Sequence, residues 1–192
     1  TMHMKDYAGV DPETGESMWW KNYTNRPVVD AEGNPVYVME NGSPKLDADG
    51  NPIQKVESGK EKTTDYETAS YYLCGTTLPD AYGGFGTSFS FYGFDLSVDF
   101  SYQIGGQVYD GDYAALMSNP ISTSRGTNIH KDMLNAWTES NMTNIPRWQY
   151  GDEYAASNST RFLTDASYLS LNNINFGYTL PKSVVEKMGM TN

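Results

Sequence analysis

The sequence predicts an all-β, antiparallel fold with long polar loops, and three observations carry that prediction. From Phe94 to Ile104 every even-numbered residue is apolar and every odd-numbered one polar, a period-2 pattern over a length unusual for a strand. The stretch before it, Phe85 to Phe91, alternates as well, with Tyr92-Gly93 between the two. The composition agrees: 15 Tyr and 18 Gly in a chain only 38% apolar point to β structure with polar connections.

The first element is the hairpin over 85–104. A two-residue turn at Tyr92-Gly93 sets Phe91 opposite Phe94, Phe89 opposite Leu96, Thr87 opposite Val98 and Phe85 opposite Phe100. Ser90 then meets Asp95, Ser88 meets Ser97 and Gly86 meets Asp99. Turn and alternation therefore agree on one apolar and one polar face. An eleven-residue strand rises about 36 Å and, tilted by about 40°, spans about 28 Å, the height of an outer-membrane barrel's apolar band. A half-buried hairpin of a soluble β-sandwich fits the alternation too.

The next strand is expected over 168–180. Leu169 and Leu171 have one parity, and Ile174, Phe176, Tyr178 and Leu180 the other. The phase slips at Asn172-Asn173, at a bulge or at the point where the strand leaves a membrane. Pro181 ends the strand, and Lys182 to Met188 reads as a short helical turn with proline at its first position and Gly189 as its stop.

Between hairpin and strand lies a polar stretch, 105–167, with two short helix candidates, Tyr113 to Met117 and Ile129 to Trp137. So long a connection is unusual in a compact domain unless it has a function. Its aromatics Trp137, Trp148, Tyr150 and Tyr154 are candidates for contact with a substrate or a partner protein, set against packing within the loop. Trp19 to Tyr23 reads as a strand end bearing girdle aromatics. A short repeat follows, Asp30 to Val36 and Asp47 to Ile53, with turn residues in both copies and a further turn at Asn41-Gly42.

Charge and motifs exclude several functions. A net charge of −11 argues against a nucleic-acid partner. The single cysteine, Cys74, rules out an intrachain disulfide and reads as a packed small hydrophobe. Asp47 to Asn51 faintly resembles a calcium loop, but Pro52 and Ser58 stand where glycine and glutamate belong, so a turn is expected. No metal site, cofactor or catalytic residue is expected, because no zinc spacing, phosphate loop or nucleophilic triad occurs and there are only two histidines. An enzyme is therefore not expected. No apolar run reaches the length of a spanning helix, which leaves barrel strands untouched.

Several stretches resemble one family, the SusC/RagA-type TonB-dependent transporters. They are Tyr7 to Gly15, Pro79 to Ser97, Ile104 to Tyr109, Leu134 to Thr138, Asn144 to Arg147, Arg161 to Leu169, Leu171 to Ile174 and Gly177 to Pro181. They run in order and cover most of the chain outside residues 21–70. The resemblance decides for the barrel. It implies that 1–192 is part of a C-terminal, 22-stranded outer-membrane β-barrel domain, with the plug absent. Residues 21–80 and 105–167 would be extracellular loops. Phe89, Phe91, Phe94, Leu96, Val98 and Phe100 would face lipid, and Asp95 and Asp99 the lumen. The implied function is TonB-dependent import of oligosaccharides or peptides across the bacterial outer membrane, with a SusD-like surface lipoprotein as partner. TonB would act through an N-terminal region that this sequence does not contain. The chain begins at Thr1 without a start region and stops at Asn192 before the family's last strands, so it reads as a cut chain. The alternative is a soluble or surface β-sandwich module that binds glycans.

Overall fold

The computed structural model describes residues 1–120 and 128–189. The part of the 105–167 stretch at 121–127, and the last three residues, lie outside them. The strands are β1 (Met2–Lys5), β2 (Tyr7–Val10), β3 (Ser17–Pro27), β4 (Met39–Glu40), β5 (Ser43–Pro44) and β6 (Val56–Thr63). They continue with β7 (Tyr71–Cys74), β8 (Ala81–Phe91), β9 (Phe94–Ile104), β10 (Gln107–Tyr109), β11 (Leu163–Asp165) and β12 (Tyr168–Tyr178). Two short helices, α1 (Gly111–Leu116) and α2 (Lys182–Lys187), complete the regular structure with two 3₁₀ turns. All pairings between these strands within a sheet whose register is resolved are antiparallel.

The chain divides into two compact units. The first comprises Thr1–Met2, Gly75–Asp110 and Leu163–Asn192, and the second His3–Cys74 and Gly111–Phe162.

The first unit is built on a sheet in the order β12-β9-β8, and each of these strands is eleven residues long. β8 and β9 pair from Phe91↔Phe94 to Ala81↔Ile104 without a slip. Tyr92 (φ 49°) and Gly93 (φ 85°) both take left-handed conformations, the geometry of a type I′ turn, whose twist matches that of the strands it joins. β12 ends at Tyr178, two residues before the expected Leu180. Thr179 has left the ladder and its N–H donates to Gly93 O at 2.6 Å. The phase slip is a β-bulge, because Leu171 pairs with Phe100 and Asn173 with Asp99, leaving Asn172 as the extra residue. β10 and β11 pair as a short ribbon, so the 105–167 stretch starts and ends in strand structure. Pro181 caps α2 from outside, one position earlier than expected, and Gly189 (φ 73°) follows its end.

In the second unit β3 lies between β2 and β6. Ser17 and Trp19 alternate inward from β3, and Trp19 is only 2% exposed, so it is a core residue rather than a girdle aromatic. Phe162, Met117 and Pro146 are also fully buried in this unit. Lys5 is buried as well. Its ammonium donates to the Tyr66 carbonyl and to Glu67 O (3.4 Å), and lies 3.9 Å above the Tyr66 ring. The expected helix over 129–137 is a single 3₁₀ turn, Lys131–Asn135, with His130 as its cap. Met133 and Trp137 are still buried from it, but Ile129 is exposed.

Beyond β3 and β6 the chain branches. Val36 N–H donates to Val28 O, Lys55 N–H to Val36 O and Val28 N–H to Lys55 O, a closed ring of three backbone bonds of 2.8–2.9 Å. A second ring joins Val38, Lys45 and Ile53 through bonds of 2.7–2.9 Å. The repeat supplies two of the arms. Asp30 Oδ1 accepts from the backbone of Glu32 and Asn34, and Asp47 Oδ1 from that of Asp49 and Asn51. Both copies are thus Asx turns that saturate their own carboxylate with backbone N–H groups, the opposite of an open calcium loop. Asn41 (φ 53°) and Gly42 (φ 84°) turn the third arm between β4 and β5.

Candidate functional site

Two features carry chemistry, one in each unit. In the first unit it is the division of the sheet into two faces. Phe89, Leu96 and Phe176 lie in line across the three strands, as do Thr87, Val98 and Ile174. Phe94 stands between Phe91 and Tyr178, its ring 4.4 Å from that of Tyr178 and 5.8 Å from that of Phe176. The bulge at Asn172 brings Leu169 and Leu171 onto this same face, opposite Tyr102 and Phe100. The face is open: Phe89 is 60% exposed and Phe176 69%. In a β-sandwich these side chains would be covered by a second sheet.

The other face is a hydrogen-bonded polar ladder. Ser90 Oγ donates to Asp95 (2.6 Å), Asn175 Nδ2 to Ser97 Oγ (3.2 Å), Asn173 Nδ2 to Asp99 (3.3 Å) and Ser101 Oγ to Asn172 (3.0 Å). Gly84 and Gly86 carry no side chain into it. All six apolar and both acidic positions expected from the alternation therefore fall on opposite faces of one sheet.

In the second unit lie the four aromatics read as candidates either for contact with a substrate or partner or for packing within the loop. Trp137 does not present itself for contact. It is 9% exposed, and its ring packs against Gly15 so closely that a β-carbon on Gly15 would lie 2.2 Å from Trp137 Cε3. Trp148 (54% exposed) and Tyr150 are open. Tyr154 stacks on Tyr66 at 5.2 Å, and Trp19 meets the Tyr66 ring edge-on at 5.1 Å.

Beside this stack is a cleft of about 250 Å³ lined by Glu16, Ser17, Trp19, Thr64, Gln149, Gly151, Asp152, Glu153 and Tyr154. Of its three carboxylates, Glu16 pairs with Arg147 at 2.8 Å. Asp152 accepts from the Tyr154 and Ala155 backbone and from Asn119 Nδ2. The negative charge of Glu67, then those of Glu153 and Asp65, push the Tyr154 phenol above its usual pKa. Burial pushes the Tyr7 phenol up to about 12, against the opposing charge of Arg161, and pulls the Arg161 guanidinium down. Among the described residues no group of three or more His, Cys, Asp or Glu could hold a metal ion.

Sequence reading missed this cleft because its walls come from residues 16–19, 64 and 149–154, which no local pattern links. Of its lining, Tyr154 was singled out as a contact candidate and Trp19 as a girdle aromatic.

No family model matches the chain. Its sequence is similar to that of TonB-dependent receptor P3 from Formosa agariphila, 30% identical over 127 residues. Those residues are 66% of this chain and 12% of the receptor, so the chain spans only a small part of that relative. Its fold is similar to that of a chain of the RagAB peptide importer in the closed-closed state, with 28% identity and a TM-score of 0.62 over 96% of this chain and 17% of that one. The likeness holds for the open-open state, with 25% identity and a TM-score of 0.56 over 96% of this chain and 16% of that one. With the two-faced antiparallel sheet, these likenesses support reading the chain as a fragment of a SusC/RagA-type TonB-dependent transporter.

Proposed function

We propose that the protein to which this chain belongs is the barrel component of a TonB-dependent importer in the bacterial outer membrane. It takes up oligosaccharides or peptides, together with a SusD-like surface lipoprotein and TonB. The observation that carries this reading is the open apolar face of β8, β9 and β12, three strands of membrane-spanning length backed by a polar ladder. Phe89, Phe91, Phe94, Leu96, Val98 and Phe100 then meet lipid, and Asp95 and Asp99 face the lumen. With Tyr92-Gly93 as a periplasmic turn, 105–167 and most of 21–80 lie outside the cell. Trp148, Tyr150 and Tyr154, left open to solvent, are the aromatics available to a substrate or to the lipoprotein. Similarity to the RagAB peptide importer favours peptides as cargo.

Two measurements test this. The native protein should be released from the envelope only by detergent, and deleting its gene should abolish growth on one peptide or oligosaccharide source. Recovery as a soluble monomer, or unchanged growth on every such source, would overturn the reading.

A further inference from the structure

We propose that Asn41, at the tip of the third arm of the second unit, is a site of self-modification: it cyclises onto the Gly42 backbone nitrogen, loses ammonia and reopens as isoaspartate, which undoes the β4–β5 turn. The arm then carries a record of the age of the chain, whatever the chain transports.

The first observation is access. Asn41 (φ 53°) and Gly42 (φ 84°) form a two-residue turn, and both are exposed. Neither the Asn41 carboxamide nor the Gly42 N–H has a hydrogen-bond partner among the described residues. A β-carbon placed on Gly42 would meet nothing within 4 Å. The nitrogen is therefore uncovered, and the carboxamide is free to rotate onto it.

The second observation is the contrast with the chain's other asparagines. At the two repeat arms Asn34 and Asn51 each precede a proline, whose nitrogen carries no hydrogen and cannot close the ring. Asn34 also donates its side-chain amide to Asp30 at 3.2 Å. Asn119 is followed by Pro120 in the same way. Asn141 and Asn158 are exposed, but Met142 and Ser159 follow them and set a side chain beside the attacking nitrogen. Asn41 is the one asparagine in the chain followed by glycine.

The step balances without a cofactor. Hydroxide removes the Gly42 N–H proton, and the nitrogen attacks Asn41 Cγ. The N–Cγ bond forms, the Cγ–Nδ2 bond breaks, and ammonia leaves with a proton from water, which restores the hydroxide. Water then opens the cyclic imide at either carbonyl, giving aspartate or isoaspartate, and nothing is oxidised or reduced. In isoaspartate the main chain runs through the side-chain carbons and is one atom longer. The ladder beside the turn is short, with pairs only at Met39↔Pro44 and Glu40↔Ser43, so little resists the longer turn. Just beyond it Lys45 N–H donates to Val38 O at 2.7 Å, one of the three bonds of the second backbone ring. Loosening the turn therefore reaches the junction.

The test is peptide mapping by mass spectrometry of the full-length protein, folded in detergent and aged at body temperature at neutral and mildly alkaline pH. Electron-transfer fragmentation separates isoaspartate from aspartate. Position 41 should convert severalfold faster than Asn141 and Asn158, and about tenfold faster for each added pH unit, as the attacking anion becomes that much more abundant. Asn34, Asn51 and Asn119 should stay intact. Hydrogen exchange of the aged protein should show lost protection at Val38 and Lys45, while fresh protein and Asn41→Asp keep it. The inference is overturned if position 41 stays intact, if it converts no faster than Asn141 and Asn158, if it converts only in protein unfolded by urea, or if the aged arm keeps its protection.

Discussion

Gly86 faces Asp99 across the β8–β9 pair, and a β-carbon on Gly86 would lie 2.1 Å from Asp99 Oδ1. Glycine therefore gives the Asp99 carboxylate its place on the polar ladder, where Asn173 donates to it at 3.3 Å. Gly86→Ala should turn that carboxylate aside and break the rung, costing about 1 kcal/mol. Urea unfolding in lipid should show this loss for Gly86→Ala alone, and no further loss when it is added to Asp99→Ala.

The two faces should differ in their tolerance of charge. Val98 is near the middle of β9 on the apolar face, and Ser88 lies on the polar face of β8. Val98→Arg should destabilise the assembled barrel by about 2–4 kcal/mol, the cost of arginine near a bilayer midplane, whereas Ser88→Arg should cost far less. The same urea titration compares them, and equal losses would contradict the assignment of faces.

Among the described residues of the second unit, Gly15 (φ 76°) and Trp137 form the tightest glycine–aromatic approach. Gly15→Ala should cost about 2–4 kcal/mol, since it adds left-handed strain to overpacking against a buried ring. The expected readout is a lowered melting temperature, with a shift in tryptophan emission as the Trp137 ring is displaced.

Asp30 and Asp47 should make the branched arms acid-sensitive. Backbone N–H groups, from Asn34 and Asn51 first, hold both carboxyls below their usual pKa. Their contribution is then fully present above the ordinary carboxylate value of about 4 and is lost as pH falls through the lowered one. Hydrogen exchange followed by mass spectrometry should show residues 28–55 losing protection on acidification before β9 does. Asp47→Ala should produce the same change locally at neutral pH.

Much of the first unit was legible because strand alternation and turn chemistry are local signals. Phe91 and Phe94 flank a two-residue turn, and that alone fixes every pairing back to Phe85 and Phe100. The second unit was less legible because its order comes from contacts distant in sequence. Trp137 read as the end of a short helix and as a loop aromatic, and the approach of Gly15, over a hundred residues earlier, to its ring was not visible in any local pattern. The Asp30 and Asp47 turns were visible as a repeat. The junctions they hang from use only backbone atoms of Val28, Val36 and Lys55, and of Val38, Lys45 and Ile53, so no side-chain pattern announces them.

The bulge in β12 makes Asn172 a dispensable letter in the strand. Losing one residue from a β-strand ordinarily inverts every side chain beyond the cut. Here the excision would join Leu171 directly to Asn173 and restore unbroken alternation, with Ile174, Phe176 and Tyr178 on the side they already occupy. A single-residue deletion at 172 would thus leave the inside-outside assignment unchanged and remove the bulge together with its one rung to Ser101.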